Sequence, residues 1–337
     1  RKPSPHGRLL QWEAPMTELE TKIRAEAERL LSESLVDVVI AFRKEDVPLH
    51  PQPAFFTRAE ELESLAYNGL CANNLANYLT RYPQETRIGM VVRGCENRSV
   101  NALLVEKQHT RENLVLIGVP CEGILDWRRI VALTGENVLS VEEKDESVSV
   151  HTRENTFALS RVELLHPSCQ RCLHPNPISA DVLIGDPKPE GDPQLMRLRI
   201  AELEALTPAE RNAWFKHEAE RCIRCYACRE ACPMCYCTEC FVDHTEPRWT
   251  DSGVTPAGMQ AWHIIRAFHQ SGRCTSCGAC ERACPMDIQM TYLTDKLNLD
   301  MIDAYQFEVG MDTTTQPPFA TLTLDDKNRF ITQGKRS

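Results

Sequence analysis

Glycine is scarce, 15 residues in 337, and no phosphate-cradling loop or dinucleotide fingerprint can be assembled from it. Gly185 and Gly191, in a stretch rich in Asp and Pro, come nearest. A Ser/His/Asp constellation is also missing, so catalysis by side chains alone finds no support. Long apolar runs are absent: the best, at residues 36–42 and 114–119, are strand-length, against the roughly 18 residues that a membrane-spanning helix requires. An excess of positive charge is lacking too. The net charge is -10, with Lys and Arg scattered along the chain, which opposes nucleic-acid binding. No apolar leader is present, and because the sequence begins at Arg1 a removed leader stays open. What remains, 42% hydrophobic and 26% charged residues, is ordinary for a globular protein long enough for two domains.

Cysteine is what the chain has in excess, sixteen residues in all. Eight of them fall into two matching runs, Cys222-x2-Cys225-x2-Cys228-x3-Cys232-Pro233 and Cys274-x2-Cys277-x2-Cys280-x3-Cys284-Pro285, the recurring ligand spacing for a pair of 4Fe-4S clusters. In that pattern the fourth cysteine of each run reaches across to the other cluster. The expected ligand sets are therefore Cys222, Cys225, Cys228 and Cys284 for one, and Cys274, Cys277, Cys280 and Cys232 for the other. Zinc is the plainer alternative, since CxxC pairs also build tetrahedral zinc sites, but it leaves the third cysteine and the Cys-Pro of each run unexplained. Disulfide stapling fits poorly: a large chain with this many regularly spaced thiols reads as reduced and metal-bound, hence cytoplasmic.

Upstream of the runs the pattern alternates. Residues 1–35 read as an aperiodic arm followed by a helix over 16–35, residues 36–42 as a buried strand, and residues 59–79 as a second helix with Leu62, Leu65, Ala66, Leu75 and Leu79 on one face. Two short strands, 87–92 and 114–119, flank a helix over 98–108, as in a βαβ unit with a parallel pair. Cys95 follows the first of these strands and Cys121 the second; the carboxyl ends of parallel strands open into one crevice, where ligands tend to bind. Cys169 and Cys172 form a further CxxC in a proline-flanked loop that needs two more ligands. These four cysteines are the expected holders of a third 4Fe-4S cluster, with His166 and His174 as alternative ligands. Asp181 and Asp186 are read as turn or cap formers.

The residues Ile117-Gly118-Val119-Pro120-Cys121, His166–Cys172 and Ser179–Asp186 resemble the beta-subunit family of deazaflavin-reducing hydrogenases and formate dehydrogenases over about residues 35–190. That resemblance implies an α/β domain carrying a cluster beside a flavin, FAD, and passing electrons to or from a deazaflavin or another carrier. The chain departs from the family in having no Gly-rich segment near its start, and Tyr67-Asn68-Gly69-Leu70 is a poor substitute for it.

The expected organisation is an N-terminal arm and helix at 1–35, an α/β domain with a small, mainly parallel sheet at 36–190, a linker at 191–206, a mainly α-helical dicluster ferredoxin domain at 207–299, and an extended partner-binding tail at 300–337 with a strand-like patch at 319–324. Thr207-Pro208-Ala209-Glu210 marks a capped helix start, and Thr255-Pro256 opens another inside the insert between the runs. That helical insert resembles the ferredoxin modules of heterodisulfide reductase-like subunits. Three more cysteines, Cys235, Cys237 and Cys240, follow the first run; with Cys71 they would complete a fourth cluster, or else remain reduced thiols or alternative ligands. The function expected is an iron-sulfur electron-transfer subunit of a multi-subunit anaerobic oxidoreductase, partnered by other redox subunits. A flavin-containing reductase subunit and a zinc-stabilised scaffold are the alternatives.

Overall fold

Thr17 opens the first helix by accepting the Glu20 amide at 3.1 Å while the Glu20 carboxylate takes the Thr17 amide at 2.9 Å, a reciprocal cap that sets where α1 (Glu18–Ser32) begins. The computed structural model describes residues 16–45, 49–144, 146–251 and 253–320. Ile23, Ala27 and Leu30 of α1, spaced by three and four, lie fully buried against one face of a mixed sheet.

Strands β1 (Val38–Arg43), β2 (Gln52–Phe56), β3 (Leu65–Ala66) and β4 (Ile88–Val92) are followed by α2 (Gly94–Val105) and β5 (Leu114–Gly118). The order is β2-β1-β4-β5, with β4 and β5 parallel to β1, and with β2 and β3 antiparallel to it. The central strands read as unbroken apolar runs because both their faces are covered. Val39, Ala41 and Val91 meet α1, whereas Ile40, Phe42, Met90 and Val92 meet Val100 and Leu103 of α2. Helix α3 (Trp127–Thr134) leads to a second sheet, the antiparallel meander β6 (Val138–Lys144), β7 (Ser147–Thr152) and β8 (Thr156–Ser160). Two single turns, α4 (Arg161–Leu164) and α5 (Pro167–Gln170), then carry the chain to β9 (Val182–Leu183), which pairs parallel with β5 and closes the first sheet.

The remainder is helical: α6 (Pro193–Glu204), α7 (Pro208–Glu220), α8 (Ala227–Glu230), α9 (Pro256–His269), α10 (Ala279–Arg282) and α11 (Thr291–Tyr305). Thr207 caps α7 with Glu210 as its reciprocal partner, and Thr255 caps α9. None of the described helices is long and apolar enough to cross a membrane.

The first sheet is mixed but mainly parallel, with four of its six strands running one way, as expected; the second, antiparallel sheet beside it was not foreseen. Three expectations are corrected. The long helix expected at 59–79 is two 3-10 segments, Ala59–Ser64 and Leu75–Arg81, separated by β3 and a loop. The Asn68 side chain takes the Leu70 amide at 2.9 Å and Asn74 that of Ala76 at 3.1 Å, so side-chain acceptors displace the helical ladder. Helix α2 starts at Gly94, which puts Cys95 in its first turn. Finally, the segment after residue 300 does not extend away: α11 runs to Tyr305, and Phe307 and Val309 fold back, buried, into the core around α2. Gly310, at φ 72°, has room for no Cβ, which would meet the Arg98 carbonyl oxygen at 2.1 Å. Of the patch expected at 319–324, Pro318–Ala320 is a 3-10 turn, and the rest, like the arm at 1–15, lies outside the described residues.

Candidate metal centres

The two cysteine runs fold alike, position by position. Arg224 and Ser276, two residues after the leading cysteines, take left-handed φ values of 56° and 53°, and their amides donate to Cys222 Sγ and Cys274 Sγ at 3.4 Å each. Tyr226 and Gly278, two residues further, are again left-handed, and each precedes a single helical turn, α8 or α10. This winding turns successive thiols inward and points amides at sulfur, which is how a chain holds a sulfur-rich cofactor.

Cys222, Cys225, Cys228 and Cys284 line one cavity, walled by Trp262, Met286, Ile288 and Met290, so the last cysteine of the second run does join the first three of the first run. Conversely, Cys232 sits with Cys274 and Cys280, adding to the upward push that burial gives both thiols, and Cys277 stands beside Cys274. The third group also converges. Cys121 at the end of β5 faces Cys169, Cys172 faces both, and Cys95 faces Cys172. The Gly123 and Ile124 amides donate to Cys121 Sγ and Cys169 Sγ at 3.3 Å.

The second and third groups adjoin. Cys95 faces Cys277, and both, with Cys169, Cys172 and Cys274, line one cleft of about 710 Å³ including its open mouth. At this seam Ser99 and Thr275 share a buried hydrogen bond at 3.0 Å. A Cβ on Gly278, at φ 70°, would fall 2.2 Å from Ser168 Oγ, so only glycine fits that close approach.

Burial makes these thiols poor anions without a cation. It pushes Cys172 and Cys274 up to about 12, and Cys95 and Cys280 well above the ordinary range. Such a donor set becomes favourable when bound iron supplies the charge and displaces the protons.

The members of the expected fourth grouping make separate contacts. Cys71 is fully buried in the α/β core, bonded within its own loop to Asn68, and burial pushes its thiol up to about 12. Cys235 lies instead beside Cys232, Cys237 is exposed, and Cys240 bonds Arg229. Among the described residues no three His, Cys, Asp or Glu side chains converge as a single-ion site. The candidate histidines are engaged elsewhere: His166 accepts the Ser168 amide through Nδ1, with burial holding it near 2, and His174 meets Glu190 at 3.0 Å and Glu308 at 2.8 Å.

A family model described as a 4Fe-4S dicluster domain matches residues 218–288. The beta subunit of the F420-dependent formate dehydrogenase of Methanocaldococcus jannaschii is 25% identical over 86% of this chain and 91% of that subunit. The corresponding subunit of formate dehydrogenase 1 of Methanococcus maripaludis is 24% identical over 86% of this chain and 90% of that subunit. The chain resembles this beta-subunit family and carries a dicluster module. Among solved structures, a xenon-derivatised F420-reducing nickel-iron hydrogenase complex from Methanosarcina barkeri contains a chain 16% identical, at a TM-score of 0.38, with 46% of this chain and 62% of that chain covered.

Within the beta-subunit-like part, the Tyr67–Leu70 loop, the stretch set against the family's Gly-rich segment, spends its amides internally. Tyr67 donates to Glu20 at 2.9 Å and Gly69 to Glu143 at 2.7 Å. Beneath the third cysteine group lies a buried pair that the sequence reading missed, Arg93 with Glu96 at 2.7 Å. Its signal was Glu96 three residues after Arg93 at a helix start, a capping box that the structure contains.

Proposed function

We propose that this chain is an iron-sulfur electron-transfer subunit of a multi-subunit oxidoreductase, holding three 4Fe-4S clusters in a row. The observation that carries the reading is the contiguity of three four-cysteine groups. Cys95, Cys121, Cys169 and Cys172 adjoin Cys274, Cys277, Cys280 and Cys232, and Cys232 belongs to the same run as Cys222, Cys225 and Cys228. Bound clusters of this kind take up and release single electrons. The protein's part is to exclude water from the thiols, to aim amides at sulfur, and to keep the groups in fixed succession. Exposed Cys225 and Ile223 place the Cys222 group at the surface, where electrons can pass to a neighbouring redox subunit, and the third group lies at the strand ends of the α/β part. Sixteen unpaired cysteines fit a reducing compartment, the cytoplasm.

The test is anaerobic purification followed by iron, acid-labile sulfide and flavin quantification. About 12 irons and 12 sulfides per chain are expected for three cubane clusters, and about 8 of each in Cys121→Ala. Zinc without sulfide, or an unchanged iron content in Cys121→Ala, would overturn the reading. Stoichiometric FAD would instead assign the chain the role of a flavin-containing reductase subunit, the role its resemblance to the beta-subunit family implies.

A further inference from the structure

Of the five buried arginines among the described residues, three have a carboxylate, Arg93 with Glu96, Arg98 with Glu308 and Arg161 with Glu143, and Arg224 is held by the Tyr226 hydroxyl and the Asp251 and Gly253 carbonyls. Arg266 has no carboxylate among the described residues, although it is only 5% exposed. It sits on the buried face of α9, one turn beyond Trp262 and near His263, whose pKa is lowered to about 4 by burial and then by Arg266. Nη2 donates to the Cys228 carbonyl oxygen at 3.1 Å and Nη1 approaches Met290 Sδ at 3.9 Å. Nε has no acceptor among the described residues. An isolated guanidinium in such a place is costly unless opposite charge faces it. What faces it is sulfur: burial works against the charge, and Cys280, Cys232, Cys228 and Cys235, in that order, more than offset it.

Those thiols belong to both halves of the dicluster module. Cys228 is in the group with Cys222, Cys225 and Cys284, whereas Cys232 and Cys280 are in the group with Cys274 and Cys277. One turn further on, at the end of α9, Gln270 meets Cys232 Sγ at 3.6 Å, so the guanidinium on the Cys228 carbonyl stands on a helix face that borders both groups. A cubane cluster on four thiolates is anionic and gains one further negative charge on reduction, so a fixed buried cation favours the reduced form, as does an N–H donor aimed at sulfur.

We propose that Arg266 is a shared electrostatic positioning residue that raises the reduction potential of both dicluster-module clusters at once. The proposal rests on the cluster reading above. It distinguishes the module from the third group, beneath which the buried Arg93 is already neutralised by Glu96. Cys235, next to Cys232 and bonded by Gln270 Nε2 at 3.4 Å, lies in the same field without belonging to either set of four.

The test is an electron paramagnetic resonance-monitored redox titration of the anaerobically purified full chain and of Arg266→Gln, Arg266→Met and Arg266→Lys, each after iron and sulfide quantification. With wild-type iron content, Gln and Met are expected to lower both module midpoints by a tenfold or greater change in the one-electron equilibrium, about 59 mV. The third cluster should stay in place, and Lys should restore most of the loss. Unmoved module midpoints, movement of one alone, or an equal movement of all three would overturn the proposal. Should Gln and Met fail to take up iron, Lys decides. Full iron with both midpoints near wild type upholds a role for the charge, and failure of Lys as well overturns it in favour of a purely structural guanidinium. Absence of iron and sulfide from the wild-type chain would instead remove the cluster reading itself.

Discussion

Glu96 shows how much one buried carboxylate holds. It accepts Arg93 Nη2 at 2.7 Å, Arg93 Nε at 3.0 Å and the Leu75 amide at 3.0 Å, while the guanidinium it anchors reaches the Cys71 carbonyl at 2.6 Å. Glu96→Gln leaves a buried cation uncompensated and is expected to lose about 3–5 kcal/mol, read as a shift of the anaerobic urea midpoint at constant slope. The double change Arg93→Met with Glu96→Leu should recover most of it, because removing both charges removes the desolvation cost too. A Glu96→Gln midpoint equal to wild type would show that the pair contributes nothing. The cysteine runs were legible in the sequence because a cubane dictates spacing along a few residues. Arg266 was not, because its partners are brought to it by the crossing of two loops; its one local trace was an arginine among Met259, Trp262, His263 and Ala267 on the buried helix face.

At the scale of elements, the paired Cys runs repeat one winding, yet they differ at Tyr226 and Gly278. Tyr226 keeps its side chain against Trp262 at 5.1 Å between ring centres, whereas Gly278 touches Ser168. Gly278→Ala combines a left-handed φ with a blocked approach and is expected to cost about 1–3 kcal/mol, checked by thermal unfolding of the loaded protein. Ser168→Gly in the same chain should recover part of that loss, since both close contacts are to the Ser168 side chain. If the single variant melts with wild type, the seam is looser than drawn. The βαβ unit was legible from its continuous apolar strands, whereas the helix read at 59–79 was apolar spacing without helical backbone, overruled by Asn68 and Asn74. The meander of β6, β7 and β8 carries a two-residue alternation, with Val148 and Val150 inward, but Ser, Glu, Lys and Thr break it so often that no continuous apolar run marks it in the sequence.

At the scale of the whole molecule, the halves are interlocked. Arg128 Nη2 donates to the Cys284 carbonyl at 2.9 Å, Arg282 Nε to the Ala72 carbonyl at 2.8 Å, and Asn101 Nδ2 to the Gly310 carbonyl at 2.9 Å. Division into a sheet part and a helical part was legible from the apolar periodicity and the Thr207-Pro208 helix start; this interlock was not, since it depends on arginines and carbonyls far apart in sequence. Cys284→Ser is expected to bleach the cluster of Cys222, Cys225 and Cys228, a loss of about 4 irons, and to spare that of Cys274, Cys277 and Cys280. Loss confined to the latter would reverse the crossing. The crossing also sets an order of maturation during synthesis. The group of Cys95, Cys121, Cys169 and Cys172 has all its thiols once Cys172 has left the ribosome. The other two stay open until the second run is made, and a nascent chain halted before Cys284 presents the thiols of Cys222, Cys225 and Cys228 without their fourth.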